Sequence, residues 1–168
     1  MPDTFLYFAY GSNMLSRRLR ARTPSAMARG TGFVEGYGLT FGKLSIDGSG
    51  KCTINRTTNP GDRVYGVLFD IDVGEAEALD RAEGLGKGYQ KAEVRVVGEA
   101  ATQVARAYIA DRTDPTLCPY DWYKDFVVYG AIEHGLPAIY VRSIQQVNAM
   151  PDTDAERSGK NRALLNRC

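Results

Sequence analysis

The stretch YFAYGSNM, Tyr7 to Met14, changes abruptly from apolar to small and polar. Phe5 to Tyr10 is a short aromatic-rich run bounded by turn residues, which is the pattern of a buried strand. Gly11-Ser12-Asn13 ends it, and Asn13 can cap a short helix from Met14 to Arg20. A strand that stops in small residues before a helix start exposes consecutive backbone N–H groups. Such groups bind anions or a developing oxyanion, because a helix N-terminus carries partial positive charge. The alternative is an ordinary capped turn.

Beyond this turn the strands come in a cluster. Met27–Glu35 and Gly38–Lys43 read as strands interrupted by glycine, and Asp47-Gly48 marks a hairpin turn. Cys52–Arg56 and Arg63–Ile71 follow; in the second, Tyr65, Val67, Phe69 and Ile71 alternate onto one face. Asp72 then reads as an N-cap with Glu75 as capping-box partner, opening a helix that runs to Glu83 and stops at Gly84. Strands return at Tyr89–Val97 and Gln103–Ala110. Pro119 suits a first helical turn, with Tyr123, Phe126, Val127 and Gly130 on one face of that helix. Gly135 and Pro137 end it, and Pro137 can open another helix through Val147. Clustered strands with few helices predict an α+β fold, a small mixed, mostly antiparallel barrel-like sheet flanked by a few helices. Residues 1–148 read as a single domain, and 149–168 as a polar tail or a loosely docked helix.

Composition narrows the functions. The chain has 168 residues, 43% of them hydrophobic, enough for a substantial core. A formal net charge of +1 argues against a nucleic-acid binder. No apolar stretch approaches the roughly 18 residues of a membrane span, and Met1-Pro2-Asp3-Thr4 lacks the start of a signal peptide. Cys52, Cys118 and Cys168 are few and widely spaced, which fits a reducing cytoplasm. No pair has metal spacing, so no metal site is expected. The single histidine, His134, sits at a helix end, where a cation suits the helix dipole.

Two glycine-rich stretches fail as phosphate loops. GSGKCT (Gly48–Thr53) has Ser45 where a P-loop needs its first glycine and Cys52 where it needs Ser or Thr, so it reads as a hairpin turn. GLGKGY (Gly84–Tyr89) follows a helix, whereas a dinucleotide fingerprint follows a strand; it reads as a flexible connection or a lip over a site. The basic cluster Arg17, Arg18, Arg20 and Arg22 is either a solvated helix face or a contact for a substrate carboxylate or an acidic partner.

Glu83 follows from arithmetic. At about 100° per residue, Val73, Ala76, Leu79 and Ala82 share one side of their helix, and Glu83 falls near its middle. An inward carboxylate at a helix C-terminus meets two influences that disfavour its charge, burial and the dipole, which suits proton exchange. The alternative is a glutamate turned to solvent at a frayed end. Tyr123 is either a core tyrosine whose hydroxyl needs a partner or part of a site.

FLYFAYGSNM, then LDRAEG with a glycine-rich stretch and Tyr89, then YKDFVVYGAIEHGLP, together resemble the γ-glutamylcyclotransferase family, in its order from about Phe5 to Pro137. The likeness is closer to the cytosolic enzymes, which include the human one, than to the shorter γ-glutamylamine cyclotransferases. The resemblance implies a small mixed fold around a barrel-like sheet, with no metal or organic cofactor. It implies a cyclotransferase, a 5-oxoproline-forming lyase or acyltransferase, releasing an amino acid or amine from a small γ-glutamyl substrate. It puts the catalytic glutamate at Glu83 and substrate-binding positions at Tyr7, Phe8, Ala9, Tyr10, Gly11, Ser12, Asn13 and Tyr123. A homodimer is compatible with it. The rivals are a sister activity on γ-glutamylamines, a γ-glutamyl protecting group or glutathione, and a non-catalytic binder of an anionic metabolite. The loops Gly84–Tyr89 and Ala110–Pro119 are expected to shape the leaving-group side.

Overall fold

The computed structural model of the chain describes residues 2–166. Met1 and Cys168, which entered the readings above, lie outside the described residues. Among the described residues seven strands form: β1 (Thr4–Ala9), β2 (Met27–Glu35), β3 (Tyr37–Leu44), β4 (Gly50–Arg56), β5 (Arg63–Asp72), β6 (Tyr89–Gly98) and β7 (Thr102–Ala110). Five close into a barrel in the order β1-β5-β2-β6-β7, and β3 and β4 make a separate hairpin. The barrel neighbours pair antiparallel except at the closure, where β1 meets β7 in parallel at Tyr7 and Arg106. This is the α+β, mostly antiparallel barrel the strand cluster predicts.

The alternation in β5 has its expected effect. Val67, Phe69 and Ile71 are fully buried with Phe8 of β1 and Val96 of β6. Each such side chain contributes about 1.5–3 kcal/mol by leaving water. The core then extends to the helices α1 (Ser16–Arg20), α2 (Ala76–Glu83), α3 (Asp121–Glu133), α4 (Ala138–Gln145) and α5 (Ala155–Leu165). Phe126, Val127 and Ala131 of α3 have no exposed area, and Tyr123 has 5%. Gly130 of α3 lies against the turn after β1: a Cβ there would stand 2.6 Å from the Leu15 backbone nitrogen. Any side chain at Gly130 would push that turn away.

Local expectations differ from the structure in instructive ways. Asn13 caps nothing: Ser12–Met14 is a 3-10 turn, and α1 starts only at Ser16 with no side-chain cap. Asp72 does cap, accepting from the Gly74 amide at 2.8 Å, but Glu75 turns to Ser25 instead of closing a capping box. Pro119 precedes the cap residue Tyr120 and stands outside α3. On α2 the inward face is narrower than the arithmetic says. Leu79 is buried and Glu83 half-buried, while Val73, in the preceding 3-10 turn, and Ala82 are exposed. So short a helix rests on the barrel along one i,i+4 line only. Within 149–168, α5 lies on α3. Arg162 pairs with Asp121 at 2.8 Å and Asp125 at 3.5 Å, and Arg157 pairs with Asp152 at 2.6 Å.

Candidate active site

The turn after β1 and the last residue of α2 face each other. Gly84 ends α2 in the left-handed conformation, φ 69° and ψ 44°, which costs glycine little. That sharp stop leaves Glu83 at the mouth of the barrel, its side chain 17% exposed. Asn13 Nδ2 donates to Glu83 Oε1 and also to the Tyr7 hydroxyl, at 3.1 Å in the second case. Arg22 Nη1 donates to Asn13 Oδ1 at 3.1 Å and lies 3.5 Å from Glu83 Oε1. The acid is therefore held by an amide and a guanidinium, not set in a bare apolar wall.

Opposite the acid stand the amides of Gly11, Ser12 and Asn13. Their neighbours Met14 and Leu15 donate back to Gly11 and Ser12 carbonyls, at 3.1 and 3.2 Å. The three amides themselves have no acceptor among the described residues. A row of free donors, Ser12 and Asn13 buried and Gly11 half-buried, lining the same cavity as a carboxylate is an arrangement that can hold a carboxylate or a carbonyl oxygen. The gap is an inner cavity of about 30 Å³ that shares walls with an outer chamber of about 490 Å³. Ser12, Glu83, Tyr89 and Tyr123 belong to both.

Tyrosines make up much of the inner wall. The Tyr123 hydroxyl, for which a partner was expected, accepts from the Cys52 amide at 2.9 Å. Tyr89 donates to the Cys52 carbonyl at 2.5 Å, and Tyr10 donates to the Tyr108 carbonyl. Burial first, and then the nearby Glu83 charge, push the Tyr7 hydroxyl far above the ordinary 10.0, so it stays a neutral phenol. Burial also pushes the Cys52 thiol up to about 12. The only cysteine in the wall is thus a thiol near neutral pH and no ready nucleophile.

Of the positions named from the resemblance, Tyr7, Tyr10, Gly11, Ser12, Asn13, Glu83 and Tyr123 meet at this cavity. Phe8 and Ala9 do not line it: both are buried, Phe8 fully, and alternation along β1 sends the Phe8 ring into the core. The solvated-face reading of the arginine cluster fails for two members. Arg18 Nε donates to Ser12 Oγ at 3.0 Å with its guanidinium over the Phe126 ring, and Arg22 reaches Glu83. Their four-residue spacing was the available signal. Arg17 and Arg20 instead tie down backbone carbonyls of Leu164 and Ala26. Cys52 and Tyr108 carried no local signal, and Tyr89 entered at the end of the glycine-rich loop and in the family resemblance; barrel closure and the β3–β4 hairpin bring all three to the wall. The outer chamber is lined by the hairpin at Lys43–Lys51 and by Gly84–Tyr89, while Ala110–Pro119 lies away from it. That second loop packs on the hairpin's far side, where the Asp114 amide donates to Gly42. His134 touches Ser16 Oγ at 3.1 Å and the Phe69 ring, away from the cavity.

A closed mixed barrel with a glutamate and a row of free amides lining one cavity suits a small enzyme that works on an acyl or amide group. The comparisons narrow that class. Residues 63–144 match the AIG2-like family. γ-Glutamylcyclotransferase of Homo sapiens is 34% identical over 152 residues, 86% of this chain and 79% of that protein. The Bos taurus protein of the same name is 32% identical over the same shares. A solved structure called γ-glutamyl cyclotransferase superposes with a TM-score of 0.85 at 29% identity, covering 96% of this chain and 99% of the other. The chain belongs to the γ-glutamylcyclotransferase family.

Proposed function

We propose that the protein converts γ-glutamyl amino acids or related γ-glutamyl amides to 5-oxoproline and a free amino acid or amine. Family membership supports the activity, and the opposition of Glu83 to the free amides of Gly11, Ser12 and Asn13 carries the mechanism. The substrate's own α-amine attacks its γ-carbonyl and closes a five-membered lactam. Nucleophile and electrophile share one molecule, so the protein's first task is to hold a bent conformer, which supplies much of the effective concentration.

The second task is proton traffic. The α-nitrogen passes from ammonium to lactam N–H and sheds two protons. The leaving nitrogen passes from amide N–H to ammonium and gains two. Glu83, set between them, takes protons from the first and returns them to the second. The new C–N bond forms as the amide oxygen takes up charge, and the old C–N bond breaks as the leaving nitrogen is protonated. The third task is to stabilise that oxyanion and anchor the α-carboxylate, for which the amides of Gly11, Ser12 and Asn13 suit both roles. Tyr7, a neutral phenol, and Tyr123 shape the pocket around the glutamyl group. No step calls for a cofactor, and the reading extends to a cytoplasmic enzyme of glutathione metabolism.

The test is 5-oxoproline release from a panel of γ-glutamyl dipeptides, glutathione and γ-glutamyl-lysine, with Glu83→Gln alongside. The variant should keep its fold and bind 5-oxoproline, yet lose turnover by roughly 10²-fold or more. Wild-type rates in Glu83→Gln would end the assignment. Binding of 5-oxoproline by the wild type without turnover of any panel member would favour a binding protein instead.

A further inference from the structure

The chamber outside the Glu83 cavity carries an unbalanced charge. Arg18, Arg22, Lys43, Lys51, Arg81 and Lys87 line it, and only Asp47 and Glu83 oppose them. Some of that charge is already answered. Arg22 lies 3.5 Å from Glu83, Lys51 lies 3.5 Å from Asp47, and Arg81 lies 3.9 Å from Glu77. Arg18 is committed to Ser12 Oγ and the Phe126 ring. Lys43 and Lys87 have no ion-pair partner among the described residues.

These two lysines approach from different elements. Lys43 is the penultimate residue of β3, with Nζ 4.8 Å above the Tyr89 ring, and Lys87 belongs to the glycine-rich loop after α2. The loop is close enough that a Cβ on Gly88 would stand 3.2 Å from Lys43 Nζ. Aromatic walls from Tyr89, Trp122 and Tyr123, all buried, keep water from screening the space fully.

On the cyclotransferase reading the reacting γ-carbonyl meets the turn at the inner cavity, where about 30 Å³ leaves no room for a whole glutamyl group, so the rest of the substrate, its leaving group included, occupies this chamber. The α-carboxylate of an ordinary leaving amino acid answers one cation and leaves the other free. On the functional reading given above, we infer that the chamber selects γ-glutamyl substrates whose leaving group carries a second carboxylate, read by Lys43 and Lys87. The class includes γ-glutamyl-glutamate and γ-glutamyl-aspartate. Neutral γ-glutamylamines, which lack even the first carboxylate, fall at the other end of the scale.

The experiment compares kcat/KM for 5-oxoproline release from γ-glutamyl-glutamate and γ-glutamyl-glutamine, which match in shape and in α-carboxylate and differ in one charge. The wild type should prefer the glutamate peptide by roughly two- to fivefold at low salt, the size of an ion pair near the surface. The preference should shrink in about 0.5 M salt, where such charges are screened. In Lys43→Met/Lys87→Met the ratio should fall toward one. Because it is a ratio within one preparation, it does not depend on how much of the variant folds, and the wild-type salt series decides the matter even if the variant is lost. Equal efficiency on the two peptides in the wild type, or a ratio unmoved by salt, overturns the inference and leaves the cyclotransferase reading intact. No 5-oxoproline from either peptide overturns the inference, and the cyclotransferase reading falls with it only if the whole panel named above is silent too.

Discussion

Asn13 has a donor end and an acceptor end, and both meet charged or ionisable partners: Glu83 and Tyr7 on one side, Arg22 on the other. A residue expected to cap a helix instead joins the acid to the turn that faces it. Gly11, two residues earlier, is confined by the same packing. A Cβ there would stand 2.9 Å from Cys52 Cβ and 3.5 Å from the Tyr123 hydroxyl. Cys52 has no room to retreat, since it is 2% exposed and bonded through its backbone to Tyr123 and Tyr89. Gly11→Ala should therefore lower stability by about 1–3 kcal/mol in urea unfolding, as overpacking does. It should also lower turnover, by up to roughly 10²-fold if the amides shift by an ångström. An unchanged midpoint together with an unchanged rate would show that the turn yields freely and that its position is unimportant.

Among the elements, α5 is held in part by one acid whose side chain is buried. The Asp152 side chain has no exposed area; it accepts from Arg157 at 2.6 and 2.7 Å and from the Trp122 indole at 2.9 Å. Arg157 in turn stacks over Tyr120, at the cap of α3. The Arg157 hydrogen bonds, followed by the indole N–H, hold the Asp152 carboxyl well below its ordinary 3.8. A carboxyl lowered by folding contributes stability above its unfolded value and loses it as pH falls toward its folded value. The stability gap between wild type and Asp152→Asn should thus be widest above pH 3.8 and close progressively below it. Denaturant midpoints followed by Trp122 fluorescence measure it; Trp122 is the only tryptophan, so the signal comes from where α3, this junction and the chamber wall meet. A gap that is constant from neutral pH into acid would mean the ion pair contributes nothing through its charge.

For the whole molecule, the tyrosine-rich cavity sets an alkaline limit. Burial pushes Tyr7, Tyr10, Tyr89 and Tyr123 well above the ordinary 10.0. A group raised by folding contributes stability in full below its unfolded value and loses it as pH rises beyond it. Stability should therefore decline above pH 10.0, and the buried phenols should ionise only as the barrel opens. In a spectrophotometric titration a late, cooperative tyrosinate step should coincide with loss of near-UV circular dichroism. All tyrosines ionising smoothly near pH 10 with the fold intact would contradict the packing described for this wall.

Strands, turns and the stop at Gly84 are written locally, in alternation, Asp-Gly and glycine after a helix, so the sequence by itself determined an α+β chain with a clustered sheet. It also determined that YGSN would end a strand and that Glu83 would end α2. Local pattern carries that much because φ/ψ preference and periodicity depend on near neighbours. It could not say that Asn13 would face Glu83, 70 residues away, or that Arg18 and Arg22 would turn inward. Nor could it bring Cys52 and Tyr89 to the same wall, or show that the Phe8 ring is buried without lining the cavity. Those outcomes follow from which strands pair and how the barrel closes, with β1 held between β5 and β7. Closure brings together side chains distant in sequence, and the net free energy of many long-range contacts, not any local preference, selects it.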